Sequence, residues 1–262
     1  MNEFDKYYYY QASVQSPEAE LDFISKTFNS LRGYEAESFR EDFCGTFALC
    51  CEWVKSNNNR RAYGIDLDPE PLAYGKKEYF TKLSEDQKNR LSILEDNVMS
   101  NKLPLSQIAC ALNFSYFIFK KRTELKNYFQ NAYSTLADDG ILVLDCFGGS
   151  QCYEANEEET EHEDQDFSYF WDQDSFNPVN NHAQFYIHIK RKGEAKREKV
   201  FRYDWRMWSI AEIRDLLEEV GFKSTHVYWE GTDEDGEGDG EYTRTEEGEE
   251  CEAWVSYIVA LK

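Results

Sequence analysis

Five strand-like runs, at residues 38–43, 61–65, 91–94, 108–113 and 141–147, are interleaved with helical stretches, and this limits the possible folds more than any other feature. Residues 48–55 place Leu49, Cys51, Trp53 and Val54 at helical spacing. Pro69 and Pro71 open a second helix reaching about residue 83. Residues 124–136 form an amphipathic third, stopped at Asp138-Asp139-Gly140. Strands joined through helices imply right-handed crossovers and a parallel sheet covered on both faces. The most apolar run, Ile141-Leu142-Val143-Leu144, is strand-sized and far below the ~18–20 residues of a membrane span.

The pattern changes after residue 150. Residues 167–171, 182–190 and 196–205 are three β-like runs with no helix between them, and Asn177-Pro178 and Lys192-Gly193 supply turns. They read as an antiparallel meander inserted after the fifth strand. Ser209 caps a further helix, with Glu212 three residues on and Ile213, Leu216, Leu217 and Val220 at helical spacing up to Gly221. Strands at 224–230 and 253–261 follow, flanking a long acidic loop. At the other end, Ser16-Pro17-Glu18 starts a helix carrying Leu21, Phe23, Ile24 and Phe28 up to Gly33, behind the aromatic segment Tyr7–Tyr10.

Net charge is −22, but two segments carry nearly all of it. Residues 154–166 hold eight acids and no Lys or Arg; residues 230–252 hold twelve acids and Arg244. The remainder has 31 acids against 28 basic residues, so the body is ordinary and the two runs read as solvated loops. No basic patch offers itself to nucleic acid or an anionic membrane. Seven scattered cysteines without Cys-x-x-Cys argue against a disulfide framework and structural zinc. With no secretory leader at residues 1–6, the expected compartment is the reducing cytoplasm. Counted from Asp233, the acidic loop puts Arg244 at the twelfth position of a calcium loop, where a bidentate Glu is needed; no metal site is expected.

Three acids fall at the carboxyl ends of successive strands, where a parallel sheet binds ligands: Glu41 beside the Gly45 turn, Asp66 and Asp96. Asp66 lies 21 residues after Gly45, the interval at which an acid meets ribose hydroxyls in nucleotide-binding α/β folds. Dinucleotide loops need three glycines for close backbone approach to a pyrophosphate. Here Phe47 takes the second position and no third glycine follows, which counts against the competing reading, a nicotinamide-dependent oxidoreductase.

The segment Glu41-Asp42-Phe43-Cys44-Gly45-Thr46 resembles the first motif of class I S-adenosylmethionine-dependent methyltransferases. The motif's carboxylate is Glu41 or Asp42, and counting back from the cysteine favours Glu41. Tyr63–Pro69 looks like the family's second block, Glu95–Val98 like its third and Ala111–Ser115 like its fourth. The resemblance spans roughly residues 35–150 plus the helix-strand-strand tail, and departs from the family at Phe47. It implies a three-layer Rossmann-like α/β fold: a seven-stranded, mostly parallel sheet with an antiparallel C-terminal strand, plus the small β insertion. It divides the chain into an N-terminal cap (1–33), a cofactor-binding core (34–150), a lid (151–205) and a completing segment (206–262). S-adenosylmethionine is the implied cofactor. Glu41, Cys44, Gly45 and Thr46 would hold its amino-acid end, Asp66 its ribose, and Leu67, Asp96, Asn97 and Val98 its adenine, with Asn113 and Phe114 beside them.

The lid and Tyr7–Tyr10 are then the cover of the substrate. Tyr9, Tyr116, Trp171, Tyr186, Trp205 and Glu230 are the expected contacts, either as an aromatic enclosure for a cationic acceptor or as sheet packing and a homodimer face. His188, Tyr116 and Tyr203 are candidate catalytic groups; His182 and His188 share a strand face, as general base or as structural residues. Arg202 and Arg206 suit a substrate carboxylate or surface pairing with the many acids. Methyl transfer to nitrogen or oxygen of a small molecule, possibly an amine, is the expected activity. A cofactor-binding protein without catalysis is the alternative.

Overall fold

The computed structural model describes residues 3–233 and 238–262. Its parallel strands are β1 (Ser38–Asp42), β2 (Arg61–Asp66), β3 (Leu91–Glu95), β4 (Ser106–Ala111) and β5 (Leu136–Gly148). Three more, β10 (Ser224–Thr232), β11 (Gly238–Thr245) and β12 (Trp254–Leu261), complete one sheet of order β11-β10-β12-β5-β4-β1-β2-β3. β12 enters antiparallel between β5 and β10, pairing Val259 with Val143. The order reverses beside β1, between β1 and β4, so the carboxyl ends of these strands flank the crevice where such sheets take ligands.

One face of the sheet is covered by α2 (Pro17–Arg32), α3 (Ala48–Ser56) and α4 (Pro69–Glu78), whose Ile24, Phe28, Trp53 and Leu72 join Phe39 and Val259 in one core. The other face carries α6 (Arg122–Ser134) and α7 (Ile210–Val220), which bury Leu125, Phe129, Ile213 and Leu217 against Leu142 and Ile258. A short α5 (Glu85–Asn89) precedes β3. The α7 signals act as expected: the Ser209 hydroxyl and the Glu212 carboxylate cap each other's backbone N–H groups, and Gly221 closes the helix at φ 113°.

The insertion is a second antiparallel sheet of four strands, β6 (Asn156–His162), β7 (Phe167–Asn177), β8 (His182–Arg191) and β9 (Arg197–Arg206), in the order β6-β7-β8-β9. Helix α1 (Lys6–Val14) packs on its inner face, where Tyr10 meets Phe201 at 4.9 Å between ring centres and Tyr9 meets Phe167 at 4.9 Å.

Both acidic runs, expected as loops, form strands. The first supplies β6, whose glutamates are exposed along the edge of the insertion. A row of like charge there repels a second copy, which weighs against edge-to-edge dimerisation through β6. The second extends β10 and adds β11, making eight strands where seven were expected. Tyr242 on β11 packs against Tyr257 and Phe23, and that apolar contact fixes the hairpin despite its charge. The tip counted above as a calcium loop, including Asp235 and Glu237, lies outside the described residues. Among the described residues no helix is long and apolar enough to cross a membrane.

Candidate functional site

Two adjoining cavities open over the carboxyl ends of β1, β2, β4 and β5. The smaller, of about 270 Å³, is walled by the loop after β1 (Phe43 to Thr46), by Glu41 and Asp66 and by Tyr7 and Tyr10 of α1. The larger, of about 840 Å³, lies between β5, the insertion, α2 and the β10–β11 hairpin. Tyr10, Gln15, Asn113 and Tyr203 border both.

Alternation along β1 decides which acid reaches the smaller cavity. Phe39 and Glu41 face α3, whereas Arg40 and Asp42 face α6. Asp42 is consumed in a buried ion pair with Arg40 (2.8 Å) and also accepts from the Tyr128 hydroxyl (2.9 Å). Glu41 is buried beside Cys50, whose thiol donates to it at 3.1 Å, and burial pushes its carboxyl up to about 8. Asp66 accepts from the Gly45 N–H at 2.7 Å and from the Asp68 N–H at 2.9 Å, tying the tip of β2 to the glycine turn.

Backbone strain concentrates here. Phe43, Phe47, Asn113 and Phe114 all have left-handed φ of 49–61°, and Gly45 lies among them at 50°. Side chains avoid this region at a cost of about 1 kcal/mol or more each, so the cluster marks loops shaped by something other than local preference. Phe47, which departs from the family's glycine in the turn, does not line either cavity. Its ring is fully buried under α3, in a slot left by Gly75 of α4, where a Cβ would fall 2.6 Å from the ring. The bulk that replaces glycine is therefore directed into the core and away from the ligand.

The other sequence candidates divide. Cys44, Gly45, Thr46 and Asn113 line the smaller cavity, and Phe114 the larger. The block expected around adenine lies outside the cavity wall. Leu67 is 62% exposed, Asn97 is exposed and Val98 is in the core. Asp96 adjoins Asp66 through its own N–H (3.0 Å to the Asp66 carbonyl) and spends its carboxylate on the Asn97 N–H (2.7 Å). These strand tips turn outward after β3.

Trp171, Trp205, Tyr203 and Glu230 do line the larger chamber. Tyr186 and His188 do not: Ile187, between them on β8, faces the chamber, so strand alternation turns both neighbours to the far side of the insertion. There the His188 Nδ1 accepts the Lys199 N–H (2.7 Å), which leaves the ring proton on Nε2, 3.0 Å from Asp172 and 3.5 Å from Glu157. This Glu157–Asp172–His188 group has the spacing of metal ligands, but its one free ring nitrogen is committed as a donor. Tyr116 is fully buried and donates to the Asp145 carbonyl at 2.6 Å, a core contact. Tyr9 packs between α1 and the insertion, and its neighbour Tyr10 takes the wall position instead. Arg206 pairs with Glu212 and Arg202 bonds Gln184, both away from the chamber.

Sequence reasoning missed Asp145, Glu20 and Glu158, which all line the chamber. Asp145 is 7% exposed, accepts from the Phe114 N–H at 2.9 Å, and is pushed up to about 8 by burial. Glu20, half-buried on α2, is pushed up to about 7 for the same reason. Burial also raises Glu230. The signal for Asp145 was present: it interrupts the most apolar strand of the chain with a charge.

No family profile and no curated protein matches the sequence. Solved structures do match the fold. An S-adenosylmethionine-dependent methyltransferase from Clostridium acetobutylicum superposes with a TM-score of 0.67 at 14% identity, over 94% of this chain and 93% of that one. An amino pentose methyltransferase from Micromonospora echinaspora, with S-adenosylmethionine bound, gives 0.67 at 14% identity over 100% and 98%. A sugar N-methyltransferase from Streptoalloteichus gives 0.65 at 15% identity over 100% and 94%. The chain thus has the Rossmann-like fold of these S-adenosylmethionine-dependent methyltransferases.

Proposed function

We propose that the protein is an S-adenosylmethionine-dependent methyltransferase acting on the amino group of a small molecule. The observation that carries this reading is the junction of the two cavities: a glycine turn braced by the β2 acid adjoins an aromatic chamber lined by carboxylates, the buried Asp145 among them. The smaller cavity suits the cofactor's chemistry. It offers carboxylate and carbonyl acceptors for an ammonium and for ribose hydroxyls, and the turn leaves open space at Gly45. Glu41, Asp66, the Cys44–Thr46 backbone and Asn113 are the residues assigned to hold it. Bound there, S-adenosylmethionine supplies a methyl group activated on a sulfonium.

The chain's own contribution is to bring a nitrogen lone pair to that methyl. At neutral pH an amine is protonated and has no free lone pair, so the N–H bond must break first. In its ionised form Asp145 takes the proton onto its carboxylate: it faces the chamber beside the Phe114 backbone, and because burial raises its carboxyl to about 8 the working base gains population as pH rises toward that value. Tyr10 and Tyr203, on the border of both cavities, close the junction against water and hold the acceptor in line. Calorimetric titration with S-adenosylmethionine and with NAD, followed by assay of S-adenosylhomocysteine release over a panel of amines, phenols and carboxylates, tests the proposal. Preferred NAD binding, or turnover confined to phenols, rejects it.

A further inference from the structure

The larger chamber has an unbalanced charge. Four carboxylates from four elements face it: Glu20 of α2, Asp145 of β5, Glu158 of β6 and Glu230 of β10. Among its described wall residues there is no Lys, Arg or His. Elsewhere acids of the same two runs find cations; Glu157 pairs with Lys196 and Asp166 with Lys192. Glu158 and Glu230 thus bring the two acidic runs, far apart in sequence, to one cavity. Its remaining wall is aromatic, with Trp171, Trp205 and Tyr203 in mutual contact and Trp254 opposite, faces that attract cations and not anions.

Carboxylates drawn out of water without a cation are held at the expense of ionisation, and desolvation displaces the buried Asp145 and the half-buried Glu20 and Glu230 upward. A ligand with a single ammonium relieves only one region of such a chamber. We infer that the acceptor carries two or more ammonium groups and no anionic group, the chemistry of an aliphatic di- or polyamine. One ammonium lies at Asp145 and Glu20, beside the cofactor cavity; another lies toward Glu230 or Glu158. A phosphate or carboxylate on the acceptor meets four carboxyl groups and no cation, so it gains no counter-charge there and holds those groups neutral, which disfavours amino acids and phosphorylated sugars. The inference rests on the amine-methylation reading above.

The test uses the wild-type protein titrated first with S-adenosylhomocysteine and then, once loaded, with butane-1,4-diamine, butan-1-amine or 4-aminobutanoate. The diamine is expected to bind at least tenfold more tightly than the monoamine, the advantage shrinking as salt is raised, and the aminobutanoate more weakly than either. In the Glu158→Gln/Glu230→Gln double variant the advantage falls below threefold. Equal affinity of diamine and monoamine, tighter binding of the aminobutanoate, or an advantage that survives in the double variant overturns the inference. The first titration keeps the two readings apart. Absent S-adenosylhomocysteine binding sinks the methyl-transfer proposal, whereas equal amine affinities on loaded protein sink only the polyamine.

Discussion

Replacing Asp145 by Asn exchanges a titratable acid in the chamber for a neutral amide of nearly the same shape. The side chain is 7% exposed, and the amide oxygen of Asn can still accept the Phe114 N–H that the carboxylate takes at 2.9 Å. Burial lifts the Asp145 carboxyl from its ordinary 3.8 to about 8, so between those values the native state keeps a proton that the unfolded chain has released. Stability therefore falls as pH rises through this window, fully retained near pH 4 and lost by about pH 8. At ~1.4 kcal/mol per pH unit the ceiling is ~6 kcal/mol, and side-chain relaxation with water entry reduces it to about 2–4 kcal/mol.

The assay is thermal unfolding of ligand-free protein at pH 5 and at pH 8.5. At pH 5, about one unit into the window, Asp145→Asn should lead wild type by only about 1 kcal/mol, roughly 2–4 °C. At pH 8.5 Asp145→Asn should melt roughly 5–15 °C above wild type, from ~2–4 °C per kcal/mol for a chain of this size. It should also lose methyl transfer, because an amide cannot take the acceptor's proton. Parallel pH profiles for the two proteins, or a variant destabilised equally at both pH values, refute both the burial argument and the assignment of the base. Gained stability with lost activity is what a group kept for function at the expense of the fold produces.

Asp66→Ala frees the Gly45 N–H and removes the acceptor at the β2 tip; affinity for S-adenosylhomocysteine should drop by about 1–3 kcal/mol, roughly 5- to 150-fold, in calorimetry, and unchanged affinity would move the cofactor elsewhere. Gly75→Ala drives a methyl into the Phe47 ring and should lower stability by about 1–3 kcal/mol in urea unfolding while loosening the Cys44–Thr46 turn; a neutral result would mean α4 shifts freely. His188→Ala deprives the Lys199 N–H and Asp172 of partners on the far face of the insertion, so it should cost about 1–3 kcal/mol of stability and leave the rate of S-adenosylhomocysteine release unaltered; a collapsed rate would place that face in the chemistry.

The doubly wound core was legible because each of its strands is punctuated locally: Gly45 after β1, Pro69 and Pro71 after β2, Asp138–Gly140 before the apolar half of β5. Asp66 and the Gly45 turn were legible for the same reason, since a loop motif is contiguous. Chamber residues come from α1, α2, β5, the insertion and the tail, and only tertiary packing brings them together. For Tyr186 and His188 the sequence supplied strand membership but not which face would turn inward, and a one-residue choice of face reverses every assignment on β8. Charge misled most. Runs of acids read as solvated loops because repulsion disfavours pairing, yet β6 pairs with the aromatic strand β7, and β11 carries one aromatic of its own, Tyr242, against Tyr257 and Phe23.

The same two runs also explain why the net charge is so far from zero. Acids added only for solubility would be spread over the surface, where their mutual repulsion is screened within ~8 Å at physiological salt. Here they cluster at two strands from which Glu158 and Glu230 line one open chamber with Glu20 and Asp145. Inside such walls the field is poorly screened, and the exposed acids of β6 at the rim add to it from outside. A cation is thereby drawn toward the chamber before it makes any contact, and an anion is turned away. Under the amine-methylation proposal substrate selection is then largely electrostatic, and raising ionic strength is expected to weaken amine capture far more than it weakens the packing of the fold around it.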